Sequence, residues 1–274
     1  MEQIKMHSEI KKELIKLTGI TNIYLTRRAN TAIKIALKVA KHLGKTKCFI
    51  LDQGGWITYP QFAKKLGFKI EYIKTKRCKI NLSDLESKLD SESVVLITSL
   101  SGYFYKQPMS EIYNICKSKD SLLINDCGGS VTDKSLLEGD LFVCSFGHWK
   151  PINNDDGGFI GSKNKHLLSE LFIEEYEIKD GLKLLKKIKT STSRVNKLNK
   201  ISLELIKELN SSNLIALNDV KNNPDLNLVV IVPFINVEEQ ERIVRIAKDI
   251  PFEVCPRSIR VLEDAISIEV KKLD

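Results

Sequence analysis

The stretch Leu141-Phe142-Val143-Cys144-Ser145-Phe146-Gly147-His148-Trp149-Lys150 decides how the chain is read. Its first four residues form an uninterrupted apolar run, the pattern of a buried strand. A lysine just past the end of such a strand, with a serine and a histidine close by, stands where open α/β sheets bind ligands, outside the carboxyl ends of the strands. A second apolar run, Leu122-Leu123-Ile124, leads into Asp126. An acid therefore closes one strand and a lysine follows another.

Outward from this pair, apolar runs at 47–51, 68–73, 94–98 and 121–125 alternate with helical patterns of ordinary length. Such alternation predicts right-handed βαβ units and a mostly parallel sheet. Upstream, residues 1–20 carry apolar residues at helical spacing, with Gly19 as a stop. Asn30 or Thr31 can cap an apolar helix over 32–43. The polar, cationic turn before that helix is a phosphate site in principle, because free amides and the helix dipole both favour an anion. Trp56 follows the strand at 47–51 after Gly54-Gly55. The loop 99–107 is rich in Tyr, Phe and Ser and follows a strand end. Downstream, 164–210 is largely helical and lysine-rich, with breaks expected near Gly181 and around 190–193. A strand at 226–232, a helix at 237–248 and short strands at 252–254, 258–262 and 265–270 complete the chain. The expected division is a large domain over 1–200 and a small α/β domain over 201–274.

The bulk properties narrow the class. A chain of 274 residues can bury a sizeable core. The net charge is +8, much of it in the stretch 183–200. Basic and aromatic residues do not interleave there, so the stretch reads as a solvated helix face rather than a nucleic-acid site. No apolar run is long enough to span a membrane. The charged N-terminus does not read as a signal peptide. The six cysteines form no Cys-x-x-Cys pair, and a reduced, cytoplasmic setting is expected. The four histidines show no metal-ligand spacing, so no metal is expected.

An acid and an amine at two strand ends are what pyridoxal phosphate (PLP) requires, a carboxylate for its ring nitrogen and an amine for its aldehyde. The order phosphate turn, aromatic, aspartate, Ser-x-x-x-x-Lys and Gly157-Gly158 resembles the fold type I PLP-dependent enzymes. Within them it is most similar to the DegT/DnrJ/EryC1/StrS-type aminotransferases. The resemblance is clearest over 121–161 and weaker over 24–73. It implies a three-layer α/β/α large domain with a mostly parallel sheet plus a small C-terminal α/β domain. It also implies a homodimer acting on a small amino-group substrate.

Carried over by residue, Lys150 would form the Schiff base and move protons, and Asp126 would hold the ring nitrogen. Ser145 and Ala29-Asn30-Thr31 would hold the phosphate. Trp56 would stack on the ring, and His148 would lie beside the phosphate or the Schiff base. Arg257 and Arg260 are the candidates for a substrate carboxylate. The phosphate turn departs from the family in carrying Arg27 and Arg28, and the chain is short for such enzymes. Two other readings stand beside aminotransfer. One is a PLP-dependent lyase, or desulfurase- or selenocysteine-synthase-like chemistry, and a mobile catalytic cysteine would support the desulfurase form. The other is a degenerate, non-catalytic binding or assembly protein, which a Lys150–Asp126 ion pair would favour.

Overall fold

The computed structural model describes residues 2–169, 173–257 and 259–273. Its centre is a sheet built from β1 (Asn22–Thr26), β2 (Lys47–Leu51), β3 (Lys69–Ile73), β4 (Ser93–Thr98), β5 (Leu122–Asp126), β6 (Leu141–Ser145) and β7 (Gly158–Ser162). The seven strands lie in the order β3-β2-β4-β5-β6-β7-β1. Within this sheet β7 alone runs against the direction of the other six strands. The other six strands therefore end on the same edge of the sheet, and the loops after them converge there.

Both faces are covered, which explains why the strands read as continuous apolar runs rather than alternating ones. In β4, Val94 and Leu96 pack against α2 (Ala29–His42) and α3 (Thr58–Lys65). The alternate residues Val95 and Ile97 pack on the opposite face against α5 (Met109–Ser118) and the long α6 (Gly181–Ser211). Between α3 and α5 in the chain, α4 (Leu82–Lys88) adds Leu85 to the same cluster. Under β1, β6 and β7, the residues Ile10 and Leu14 of α1 (Glu2–Thr18) join Leu184 and Ile188 of α6. This is the expected three-layer α/β/α arrangement with a mostly parallel sheet.

The chain ends in a second sheet of three antiparallel strands, β8 (Val230–Pro233), β9 (Phe252–Val254) and β10 (Ala265–Ile268), with β10 in the middle. The helix α7 (Val237–Ile246) lies between β8 and β9 in the chain. The boundary expected between residues 200 and 201 falls inside α6, which runs unbroken from 181 to 211. The break expected at 190–193 is absent because Thr190 and Ser191 turn their hydroxyls onto the carbonyls of Lys186 and Ile188 within the helix. Val230, Val232, Ile266 and Ile268 belong to the same hydrophobic cluster as Val95 and Ile97 of the large sheet, so one core runs through both sheets. The strand expected at 258–262 is turn and bend where it is described, and Ser258 lies outside the described residues.

One glycine decides how the site is assembled. Gly158 pairs with Ser145 on one side and Thr26 on the other. A β-carbon there would stand 2.4 Å from the Cys144 carbonyl oxygen and 3.2 Å from the Ala29 amide nitrogen. The bare backbone lets the start of α2 descend beside the end of β6. Gly158→Ala is therefore expected to destabilise the fold by about 1–3 kcal/mol through overpacking, read as a lowered urea midpoint. An unchanged midpoint would show that the two segments can part freely.

Candidate active site

The loops at the carboxyl edge of the sheet enclose a cavity of about 210 Å³. Its walls include Ala29 and Asn30 from α2, Trp56 after β2, Tyr103 after β4, Asp126 of β5, Ser145 of β6 and Lys150 after it. Six residues proposed from sequence, Ala29, Asn30, Trp56, Asp126, Ser145 and Lys150, thus meet in one space.

Asp126 is the last residue of β5, partly buried in the cavity wall. Its Oδ2 accepts a hydrogen bond from the Tyr59 hydroxyl at 2.6 Å, and its Oδ1 accepts from the Gly128 amide at 2.9 Å. Burial pushes its carboxyl above the usual range, against the two donors, which favour the ionised form. A carboxylate so placed is stabilised by any cation brought into the cavity.

Lys150 follows β6 in a loop pinned by Phe146, whose carbonyl accepts from Asn154 at 2.6 Å and from Asp155 at 3.0 Å. Its Nζ hydrogen-bonds the Tyr103 hydroxyl. It also stands 5.5 Å from the centroid of the Trp56 ring and 4.6 Å from that of Tyr103. Burial, with the Lys271 charge adding to it, pushes the Lys150 amine down to about 7. Near neutrality this amine therefore keeps a lone pair that an ordinary lysine has surrendered to a proton.

The phosphate turn differs from its expected form. The helix starts at Ala29, with Arg28 at the N-cap and no side-chain cap. Asn30 and Thr31 are thus first-turn residues rather than caps, and Asn30 Oδ1 accepts from the Thr58 hydroxyl at 3.3 Å. Arg28 and Asn30 line the cavity, so the uncapped end of α2 opens on it. Ser145 Oγ accepts from the Gly147 amide at 3.2 Å, which aims the loop after β6.

The structure does not bring the remaining candidates into the cavity. Thr31 lies exposed on α2, beyond the turn that faces the site. His148 is 67% exposed, with its Nδ1 2.6 Å from Asp155 Oδ1, because the turn after Gly147 carries it outward. Arg257 is exposed and paired with Asp264. Arg260 is only 2% exposed and is paired with the buried Glu269 at 2.6 Å.

Among the wall residues that sequence does not single out are Tyr59 and Tyr103. Tyr59 is an aromatic on a helix, and nothing in its local pattern sets it apart from a core residue. Tyr103 lies in the Tyr-, Phe- and Ser-rich loop that the sequence marks as a candidate lining, yet only its backbone conformation selects it, with φ at +65°. Its ring packs where a side chain on Gly129 would stand, with Tyr103 Cε1 3.0 Å from that β-carbon position.

Comparison with known proteins supports the fold. No family model and no curated protein matches the chain. Among solved structures it is similar to a DegT DnrJ EryC1 StrS aminotransferase from Brucella abortus (TM-score 0.74, 13% identity, 96% of this chain and 84% of that one). It is similar also to a cysteine desulfurase from Thermococcus onnurineus NA1 (TM-score 0.72, 13% identity, 98% and 79%). A NifS-like protein gives a TM-score of 0.71 at 18% identity over 97% and 83%. The fold is that of the fold type I PLP-dependent enzymes. At these identities the likeness establishes architecture, and the chemistry has to be argued from the cavity.

Proposed function

We propose that this chain is a PLP-dependent enzyme acting on an amino-group substrate, as an aminotransferase, and that it works as a homodimer. The observation that carries the reading is the opposition of the Lys150 amine and the Asp126 carboxylate in one cavity at the strand ends. The donor set fits the cofactor. The uncapped start of α2 and Ser145 suit a phosphate, Asp126 suits a cationic ring nitrogen, and the Trp56 face suits a flat ring.

PLP, when bound, supplies an aldehyde that condenses with amines and a ring that withdraws electrons from the bond being broken. The chain supplies the rest. Lys150 Nζ, pushed down to about 7 and so neutral in a large share of molecules at that pH, is the nucleophile, and later takes the proton from the substrate's α-carbon. Asp126 remains ionised opposite positive charge and fixes the orientation of the group it holds. Tyr59 and the Gly128 amide keep that carboxylate in place.

Aminotransfer is favoured over sulfur chemistry because all six cysteines are buried. Burial pushes the Cys48 and Cys116 thiols up to about 12, far from a reactive thiolate. The six are unpaired, which suits a reducing, cytosolic setting. No helix among the described residues is long and apolar enough to cross a membrane. A non-catalytic role is disfavoured because Lys150 and Asp126 are not spent on each other: Lys150 turns to Tyr103, and Asp126 to Tyr59 and Gly128.

The test is to add PLP to the purified protein, record its spectrum, reduce with borohydride and map the product by mass spectrometry. A band at about 420 nm and a pyridoxyl group confined to Lys150 are expected. A label scattered over surface lysines, or no band, would overturn the reading.

A further inference from the structure

A buried charged cluster lies behind Tyr103, supplied by the end of the chain. Glu269, just past β10, is 0% exposed. Its Oε1 stands 2.6 Å from Arg260 Nη1 and accepts from the Ser267 hydroxyl at 2.7 Å, and its Oε2 pairs with Lys271 Nζ. Arg260 and Lys271 are themselves buried. Glu253 reaches Arg260 at 3.3 Å from the rim, where it is half-exposed. In the fully buried part, two cations therefore share one carboxylate.

The backbone holds this cluster against the lysine of the cavity. Leu228 donates its amide to the Tyr103 carbonyl at 3.1 Å and accepts the Lys271 amide at 2.8 Å, so Tyr103 and Lys271 bracket one residue. Lys271 Nζ lies 5.1 Å from the centroid of the Tyr103 ring, while Lys150 Nζ lies 4.6 Å from the same centroid. From α6, Arg194 donates to the carbonyls of Lys150 at 3.2 Å, Lys271 at 2.9 Å and Leu273 at 3.0 Å. One guanidinium thus ties the Lys150 loop to the chain end.

We infer that Lys271 is a positioning residue for Lys150: its ammonium, fixed by Glu269 against the Tyr103 ring, opposes protonation of the Lys150 amine and keeps that amine nucleophilic. The inference rests on the reading of Lys150 as the reactive amine and adds what prepares it. Two cations hold Glu269 below the usual carboxylate range, so it stays ionised. Burial pushes the Lys271 amine down, and the Glu269 charge opposes that and favours the ammonium. The other charged groups around Lys150 are Arg28, Asp126 and Asp155 in the cavity wall, His148 on its own loop, Arg194 on α6, and Lys272, which lies over Trp149 at 5.1 Å. Burial and Lys271 are what lower the Lys150 amine.

The test labels the cofactor-free protein with acetic anhydride over a range of pH. Each lysine is quantified by mass spectrometry, with exposed Lys248 as the internal standard. Only neutral amines react, so the midpoint reports protonation. The wild-type midpoint for Lys150 is expected near pH 7. In Lys271→Met it should rise by about one pH unit, as loss of a neighbouring like charge predicts. Lys271→Arg, which keeps the charge, should stay with wild type. Lys271→Gln, which keeps a donor for Glu269, replaces Lys271→Met if that variant does not fold. A midpoint unmoved by loss of the charge in a folded variant would overturn the inference, as would Lys271→Arg shifting as far as Lys271→Met. The assay contains no PLP, so failure of the cofactor reading appears in the spectrum and failure of this inference in the labelling midpoint.

Discussion

Lys150→Ala is expected to lose the borohydride-trapped label and to slow α-proton exchange by roughly 10⁵-fold, the scale on which removal of a catalytic nucleophile is felt. Exchange of the substrate's α-proton with deuterated solvent, followed by NMR with PLP present, isolates the step assigned to Nζ. The substitution also removes a group whose charged form burial disfavours, so the cofactor-free variant should melt no lower than wild type. A small primary amine added to Lys150→Ala should restore part of the exchange, since it returns a base to the vacated space. Exchange within tenfold of wild type would show that another group moves the proton.

Asp126→Asn separates charge from shape. The amide matches the carboxylate in size, and the Tyr59 hydroxyl can accept from its NH₂ while the Gly128 amide donates to its oxygen. Burial already disfavours the ionised form of Asp126, so the cofactor-free variant should be at least as stable as wild type. What is lost is the fixed negative charge opposite a cationic ring nitrogen. Removal of one preorganised electrostatic group predicts a fall in exchange of roughly 10³-fold. A variant that folds, binds PLP and exchanges at the wild-type rate would remove Asp126 from the chemistry.

Much of the architecture was legible because buried parallel strands write themselves as apolar runs. The runs ending at Ile124 and Cys144 placed Asp126 and Lys150 at strand ends before any packing was known, and the structure puts both on the same edge. Helix interiors were less legible than strand ends. Thr190 and Ser191 read as a break, because hydroxyl side chains compete with backbone hydrogen bonds, yet within α6 they bond back to the preceding turn. By residue type the cap of α2 belongs at Asn30 or Thr31, both good caps. The helix begins instead at Ala29, where Gly158 lets the backbone pass.

The side-chain partners lay beyond local pattern. His148 stands two residues from Lys150 in the chain, yet a single turn sends one outward and the other inward. Arg260 looked available for a ligand, but its fate depends on Glu269, with which it shares no local periodicity. Tyr59 and Tyr103 reach the site from separate segments, and Lys271 packs behind Tyr103 from a third, all brought together only when the sheet and its final strands pack. The sequence by itself determined the apolar layers and the placing of an acid and an amine at two strand ends, because each is a short-range consequence of hydrophobicity and residue type. Tertiary structure alone decided which charges face one another. The state of a lysine amine depends on burial and on neighbouring charge, and both are properties of distance in space rather than of separation in the chain.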